Sequence, residues 1–302
     1  MGISRRDFVV AGVAAGLLGR TNPSGAAELR TGTIPSSGEA IPVVGVGTNR
    51  YGVGDDADAR APLRDALARF RELGGTVIDT APMYRSSETV LGDLIDELGF
   101  GDELFMATKV DQQGEADIAA RFDRSFRLLK YEQIDLMQCH NLIDWRNAIP
   151  MMRDLKEAGR VRYIGITTSR ENQYGDFEAI MKEETLDFVQ VNYSLADQRL
   201  SADRLLPLAA DRGMAVLVNR PFGGGGVFGK LSGRDLPDWT AEFDCESWGQ
   251  FLLKYALSHP AVTAAIPGMT KVRHVEDNMG AALGRLPTPD LRQRQEQFFD
   301  SL

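Results

Sequence analysis

Four residues of this chain could together handle a proton on oxygen: Asp79, Tyr84, Lys109 and His140. The aspartate ends the apolar run Thr76-Val77-Ile78, where a carboxylate is costly to bury unless a cation or a hydrogen-bond donor meets it. Tyr84 follows five residues later, in a stretch that reads as a loop before a helix. Lys109 lies near the end of "LFMATKV", and His140 at the end of "IDLMQCH". A free phenol titrates near pH 10, too high for ready proton exchange at neutral pH. A neighbouring ammonium favours the phenolate, an aspartate holds the ammonium, and an imidazole orients a carbonyl oxygen or shares the proton. Such a set suits protonation of an oxygen as it becomes an alkoxide, an acid catalysis typically worth about 10²–10⁴-fold. Taken singly, the aspartate reads as a turn residue, the lysine as a snorkelling side chain and the histidine as a core residue. Everything depends on whether the fold brings them together.

The elements that would do so alternate regularly. β-like runs span Val43–Thr48, Thr76–Thr80, Leu104–Val110, Ile134–His140, Val161–Thr167, Phe188–Tyr193, Ala215–Pro221 and Val262–Pro267. Helix-like runs cover about 57–73, 87–98, 115–130, 145–158, 171–184, 202–212, 247–259 and 271–283, with a tail helix at 289–301. "RDALARFRELGG" has helical apolar spacing closed by Gly74-Gly75, and "SSETVLGDLIDELG" opens with Ser87 as an N-cap and stops at Gly99. A short hairpin is expected around Ser36-Ser37-Gly38. Eight strand–helix units in roughly 240 residues fit a (β/α)₈ TIM barrel of class α/β, with an N-terminal β-hairpin and a short C-terminal helix. An open doubly wound sheet would declare itself by G-x-G-x-x-G, and "VGVGTNRYG" lacks the third glycine. In a barrel the chemistry gathers at the carboxyl ends of the strands, where Asp79, Lys109 and His140 all fall.

Composition narrows the partners. The formal net charge is −9 and no Lys/Arg-rich run occurs, which argues against nucleic acid. A metal-dependent reading needs a cluster of ligands, and of the three histidines, His140, His259 and His274, only His140 falls at the strand-end site. Cys139 and Cys245 are expected to stay unpaired, Cys139 as a small hydrophobe within a strand. Residues 1–27 differ from the rest: "SRRDFVV", the apolar "AGVAAGLLG", then small residues at "SGAA". The apolar run is too short to cross roughly 30 Å of hydrocarbon. It reads as a leader that resembles a twin-arginine (Tat) signal, which carries folded proteins across the bacterial inner membrane. The division expected is thus 1–27 leader and 28–302 barrel domain, exported to the periplasm with no stable membrane anchor, or cytoplasmic should the leader not function.

After the leader, the chain resembles the aldo-keto reductase superfamily along nearly its whole length. The family pattern D-x-A-x-x-Y-x-x-S-E is met by Asp79, Ala81, Tyr84, Ser87 and Glu88. The resemblance implies Tyr84 as proton donor, Lys109 as the cation lowering its pKa, Asp79 as the partner of that cation and His140 as carbonyl orienter. It also implies a nicotinamide cofactor lying extended across the barrel mouth. "GVGTN" would place Gly47, Thr48 and Asn49 beside the nicotinamide; "GITTS" and "VQVNYS" would offer Thr167, Thr168 and Gln190 to its carboxamide. "NRPFGGGG", with Arg220, Pro221, Phe222 and Gly223, and "IPGMTKVRHVEDN", with Gly268, Thr270, Lys271, His274, Asp277 and Asn278, match the loops that hold pyrophosphate and adenosine. Glu88 is assigned to the start of its helix rather than to catalysis.

The chain departs from the pattern in four places. Arg85 replaces a common glycine, Asn49 a common pocket aromatic, Asn219-Arg220 the aromatic that often stacks on the nicotinamide, and Thr270 an arginine that often grips a 2′-phosphate. Lys271, Arg273 and His274 are near enough to take that last role, so NADP(H) is expected over NAD(H). The reading is an oxidoreductase moving hydride between NADPH and a small aldehyde, ketone or sugar-like substrate, with Tyr84 as general acid/base. The alternative is a cofactor-binding sensor with little turnover.

Overall fold

Runs buried on both faces become parallel strands here, and the amphipathic runs between them become the helices that cover them. The computed structural model describes residues 28–196 and 199–302; the proposed leader, residues 1–27, lies outside the described residues. Two short strands, β1 (Thr31–Thr33) and β2 (Ala40–Pro42), form the expected antiparallel hairpin. The main sheet follows as β3 (Val46–Gly47), β4 (Val77–Asp79), β5 (Phe105–Val110), β6 (Ile134–His140), β7 (Val161–Thr167), β8 (Phe188–Asn192), β9 (Ala215–Asn219) and β10 (Ala264–Ala265), each parallel to its neighbour in sequence order. Bridges from Val44 to Ala265 and from Gly47 to Gly268 join the last strand to the first. The ring is thereby closed as the (β/α)₈ fold. β3 and β10 are each only two residues long, shorter than the apolar runs suggest, and the seam between them is held by these isolated bridges rather than by regular pairing.

Glycine makes the seam possible. A Cβ on Gly47 would stand 2.6 Å from the carbonyl oxygen of Ile266, inside any tolerable contact. The outer layer is α1 (Ala57–Glu72), α2 (Ser87–Leu98), α3 (Glu115–Leu129), α4 (Trp145–Glu157), α5 (Tyr174–Glu183), α6 (Leu200–Asp211), α7 (Val227–Leu231), α8 (Trp248–Leu257), α9 (Val272–Gly280) and α10 (Pro289–Asp300). Gly99 ends α2 in the left-handed conformation, φ 70°, its N–H donating to Ile95 O. The elements that the sequence reading does not anticipate include α7 and a 3₁₀ turn at Asp238–Phe243. "GGGGVFGKLSG" has the composition of a loop, and what makes a helix of it is burial of Val227 and Leu231 against the barrel.

Two apolar regions hold the molecule together. One lies between strands and helices. The other fills the amino end of the barrel, where Val77, Phe105, Leu136, Phe188 and Leu217 meet Ile34 and Ile41 of the hairpin. The hairpin is therefore a plug, each large side chain contributing about 1.5–3 kcal/mol by leaving water. Tyr163 O–H, donating to Glu39 Oε2 at 2.6 Å with its oxygen 2.8 Å from Ser37 Oγ, and Arg162, paired with Glu39, fasten it. With that end sealed, the carboxyl end is the open one.

Candidate active site

The strand ends build a cavity of about 580 Å³ at the carboxyl face of the barrel, and Asp79, Tyr84, Lys109 and His140 all line it. Asp79 closes β4, while Lys109 and His140 are the penultimate residue of β5 and the last of β6. Lys109 Nζ lies 2.8 and 2.7 Å from the two Asp79 carboxylate oxygens and donates to Thr80 O at 2.7 Å. Both side chains are almost sealed, 1% and 2% exposed. Amide groups of Gln138 and Gln190 approach the same carboxylate at 3.3 Å each, so the buried charge has donors on three sides. Tyr84 leans over this pair, its ring centre 5.4 Å from Lys109 Nζ and edge-on to His140 at 6.1 Å.

Hydroxyl groups hold the loop of Tyr84 in place. Ser87 is the first residue of α2 rather than its N-cap; its Oγ donates to Thr48 O at 3.1 Å and contacts Thr80 Oγ1 at 3.0 Å. Ser86 takes the cap position, and its Oγ accepts from Gly54 N instead of from its own helix. Glu88 lies in the first turn of α2 as expected, and it is buried there, accepting from Thr108 Oγ1 at 2.7 Å, where burial lifts its carboxyl above the usual range. Tyr51 O–H donates to Met269 O at 2.7 Å and ties the first loop to the last.

The charge balance corrects one expectation. Lys109 exerts the strongest pull on the Tyr84 phenol and lowers it, yet burial and the negative charge of Asp79 outweigh that pull, and the phenol titrates above its ordinary value. Burial is the larger of the two opposing causes, and Asp79, tightly paired with Lys109, offsets part of the field that Lys109 projects. Lys109 itself stays charged: burial opposes this, and Asp79 with Tyr84 more than compensates. His140 is pushed down to about 3, by burial first and then by the charges of Lys109 and Arg170. The site at neutral pH holds a neutral phenol, a neutral imidazole and a neutralised ion pair.

This has a consequence for stability. An unfolded chain protonates His140 near pH 6.5, whereas the folded chain refuses the proton until about pH 3. Its contribution is complete above pH 6.5 and is lost as the pH falls through that window, at about 1.4 kcal/mol per pH unit. Melting temperatures taken from pH 7.5 to 4.5 should fall less steeply for His140→Gln than for the parent chain. Parallel curves would contradict the assignment.

Of the remaining residues singled out in the sequence, Gly47, Thr48, Asn49, Thr167, Gln190, Arg220, Pro221, Phe222, Gly268, Thr270 and His274 line the cavity. Five do not. Thr168 turns away, its Oγ1 donating to Gln173 Oε1 at 2.5 Å and accepting from Arg170 N at 3.1 Å. Gly223 stands behind Gly224 and Gly225, which line the cavity in its place. Lys271 is the N-cap of α9 outside the lining, Asp277 meets Gln250 of α8 at 3.5 Å, and Asn278 is buried on the inner side of α9. Arg50, Met83, Asn141, Ser169, Arg170 and Asn219 also line the cavity. Asn219 stands out in the sequence only as a departure from the family pattern; the signal for the others is position, in or beside a strand-end loop. Gln190 Oε1 and Asn219 Oδ1 are buried without a partner. Among the described residues, no cluster of three or more His, Cys, Asp or Glu could hold a metal ion, and Cys139 and Cys245 are buried free thiols.

A profile of the aldo/keto reductase family matches residues 43–296. The chain belongs to the aldo/keto reductase family. It is 27% identical to L-galactose dehydrogenase of Arabidopsis thaliana over 84% of this chain and 88% of that one. It is 28% identical to the methylglyoxal reductase YeaE of Escherichia coli over 83% and 89%. An aldo/keto reductase of Klebsiella pneumoniae solved with NADP and acetate superposes with a TM-score of 0.72 at 23% identity, covering 90% of this chain and 96% of that one.

Within the family pattern Arg85 now has a physical meaning. Its φ is 58°, the left-handed region, where glycine is free of strain and a side chain is not. Arg85→Gly should stabilise the fold by about 1 kcal/mol, or about 2–4 °C in melting temperature. A lower melting temperature would show that the arginine side chain compensates for its backbone.

Proposed function

We propose that this aldo/keto reductase family member reduces a small carbonyl compound with NADPH, and runs the reverse oxidation, with Tyr84 as the acid. The observation that carries this reading is the convergence of a protonated phenol and a neutral imidazole over a sealed Lys109–Asp79 pair, in a cavity open at one end. The lining suits a dinucleotide. The unpaired Gln190 Oε1 and Asn219 Oδ1 can accept from a carboxamide, and no atom lies within 4 Å of a Cβ built on Gly225, so a phosphate has room beside the glycine run. Arg220, Thr270 and His274 stand at the same mouth. The preference for NADPH rests on Arg220 and on Arg273, whose Nε donates to His274 Nε2 at 3.4 Å; burial and the charges of Arg273 and Lys271 hold the His274 imidazole below its ordinary value, so it serves as a neutral group.

The reduced nicotinamide supplies a hydride to the carbonyl carbon when bound. His140, neutral, donates a hydrogen bond that orients the carbonyl oxygen. Tyr84 gives its proton to that oxygen as negative charge builds there, and recovers it from water afterwards. Lys109 stabilises the transient phenolate, and Asp79 fixes the ammonium beneath it. Phenol and carbonyl oxygen need only come within hydrogen-bond reach, about 2.6–3.2 Å.

The test is NADPH oxidation against a panel of aldehydes and ketones, with cofactor binding measured separately by quenching of protein fluorescence. Turnover on part of the panel is expected. Tight cofactor binding without turnover on any carbonyl would replace the reductase with a cofactor sensor. Export through the Tat machinery is proposed from the Arg5-Arg6 leader alone; among the described residues no helix is long and apolar enough to cross a membrane. Cell fractionation of the chain and of an Arg5→Lys, Arg6→Lys variant tests it, and a cytoplasmic location for both would overturn it.

A further inference from the structure

The chain carries a net charge of −9, yet the cavity has the opposite sign. Asp79 is the only carboxylate in the lining, and Lys109 already neutralises it. Against it stand Arg50, Arg170 and Arg220. Elsewhere some arginines pair with acids, as Arg60 does with Asp55 and Asp93 and Arg162 with Glu39 and Asp135, and others are engaged by carbonyls or rings, as Arg30 is by Gly284 O and Arg146 by the Trp145 ring. Among the described residues, none of the three cavity arginines makes an ion pair. Three guanidiniums gathered round one cavity whose single carboxylate is already neutralised mark a place for an anion that the lining does not itself supply.

The three are not equivalent. Arg220 has an Nη2 only 3.0 Å from where a Gly224 Cβ would stand, so it belongs with the glycine run and the dinucleotide phosphates. Arg50 follows the first barrel strand and Arg170 the fifth, so they face each other across the mouth. Arg170 is the one placed at the reacting end. Its charge is felt by His140, and its backbone is held: Thr168 Oγ1 accepts from Arg170 N, and Gln173 Nε2 donates to Asn141 O at 2.9 Å, beside His140. Thr168 thus acts as a positioning residue for this loop.

We infer that the substrate is a carbonyl compound carrying an anionic group, carboxylate or phosphate, which Arg170 binds, while Arg50 adds attraction from the opposite wall. The inference rests on the reductase reading and adds a substrate class to it. Arg170 is exposed at the cavity rim, where a guanidinium–oxyanion hydrogen bond corresponds to about tenfold in kcat/KM. The bound anion leaves the chemistry at the carbonyl unchanged.

The experiment compares matched pairs at low ionic strength: glyceraldehyde 3-phosphate against glyceraldehyde, and 4-oxobutanoate against butanal. The parent chain should favour at least one anionic member by about tenfold or more. Arg170→Gln should remove most of that ratio through KM, and Arg170→Lys should restore part of it. The two pairs separate phosphate from carboxylate as the preferred group. Turnover of the neutral members with a ratio near one, or a ratio untouched by Arg170→Gln, overturns the inference and leaves the reductase intact. Should no carbonyl turn over, the reductase reading fails, and the arginine is read by melting temperature with glutarate or inorganic phosphate against 1,5-pentanediol. A rise with either anion that disappears in Arg170→Gln would support the anion site; no rise, or one that persists in the variant, would overturn it.

Discussion

Tyr84→Phe is expected to lower kcat about 10²–10⁴-fold while leaving the affinity for NADPH within a few-fold of the parent value. The substitution removes one oxygen from a ring that packs edge-on to His140, so the cavity keeps its shape. What is lost is the only neutral acid placed over the Lys109–Asp79 pair, since His140 holds no exchangeable charge until about pH 3. Because the phenol titrates above its ordinary value, the parent chain keeps this acid protonated throughout the neutral range. Reduction should accordingly show no acid limb between pH 5 and 7 from His140. Steady-state rates of both proteins on one carbonyl of the panel, with cofactor titrations alongside, check this. Turnover within threefold of the parent would remove Tyr84 from the mechanism.

Lys109→Met carries the largest expected cost in stability. It leaves Asp79, 2% exposed, with only two amide donors at 3.3 Å in place of an ammonium at 2.7 Å. Breaking a buried pair from one side costs about 3–5 kcal/mol, because the remaining charge has lost its partner without regaining water. For a domain of this size that is a fall of about 6–20 °C in melting temperature. The double variant Lys109→Met, Asp79→Leu should be more stable than Lys109→Met alone, since it removes the stranded charge as well. Both variants should be inactive. That separates the two uses of the pair: only the ionised pair can serve Tyr84, whereas an apolar pair can serve the core. A double variant less stable than the single one would mean that Asp79 is held by its amide donors rather than by Lys109.

Much of the architecture could be read from local pattern because local physics governs it. Eight apolar runs bounded by turns, Gly99 as a left-handed stop and the 3.6-residue period of the helices each depend on a few neighbouring residues. A parallel barrel also sends every strand end to the same face, so Asp79, Lys109 and His140 could be placed together from their positions in the runs alone. What local pattern could not decide was where side chains turn once loops pack. Ser87 reaches Thr48 across the chain instead of capping its own helix, and Thr168 serves the Arg170 loop instead of the cavity. Val227 and Leu231 make a helix of a glycine-rich segment only because the barrel wall is there to bury them. The sign of the Tyr84 shift was equally out of reach, since it is a small difference between burial and two opposite charges whose distances only the folded chain sets. The same holds for the unpaired Arg50 and Arg170: sequence shows that the arginines exist, and only packing shows which of them have been left without an acid.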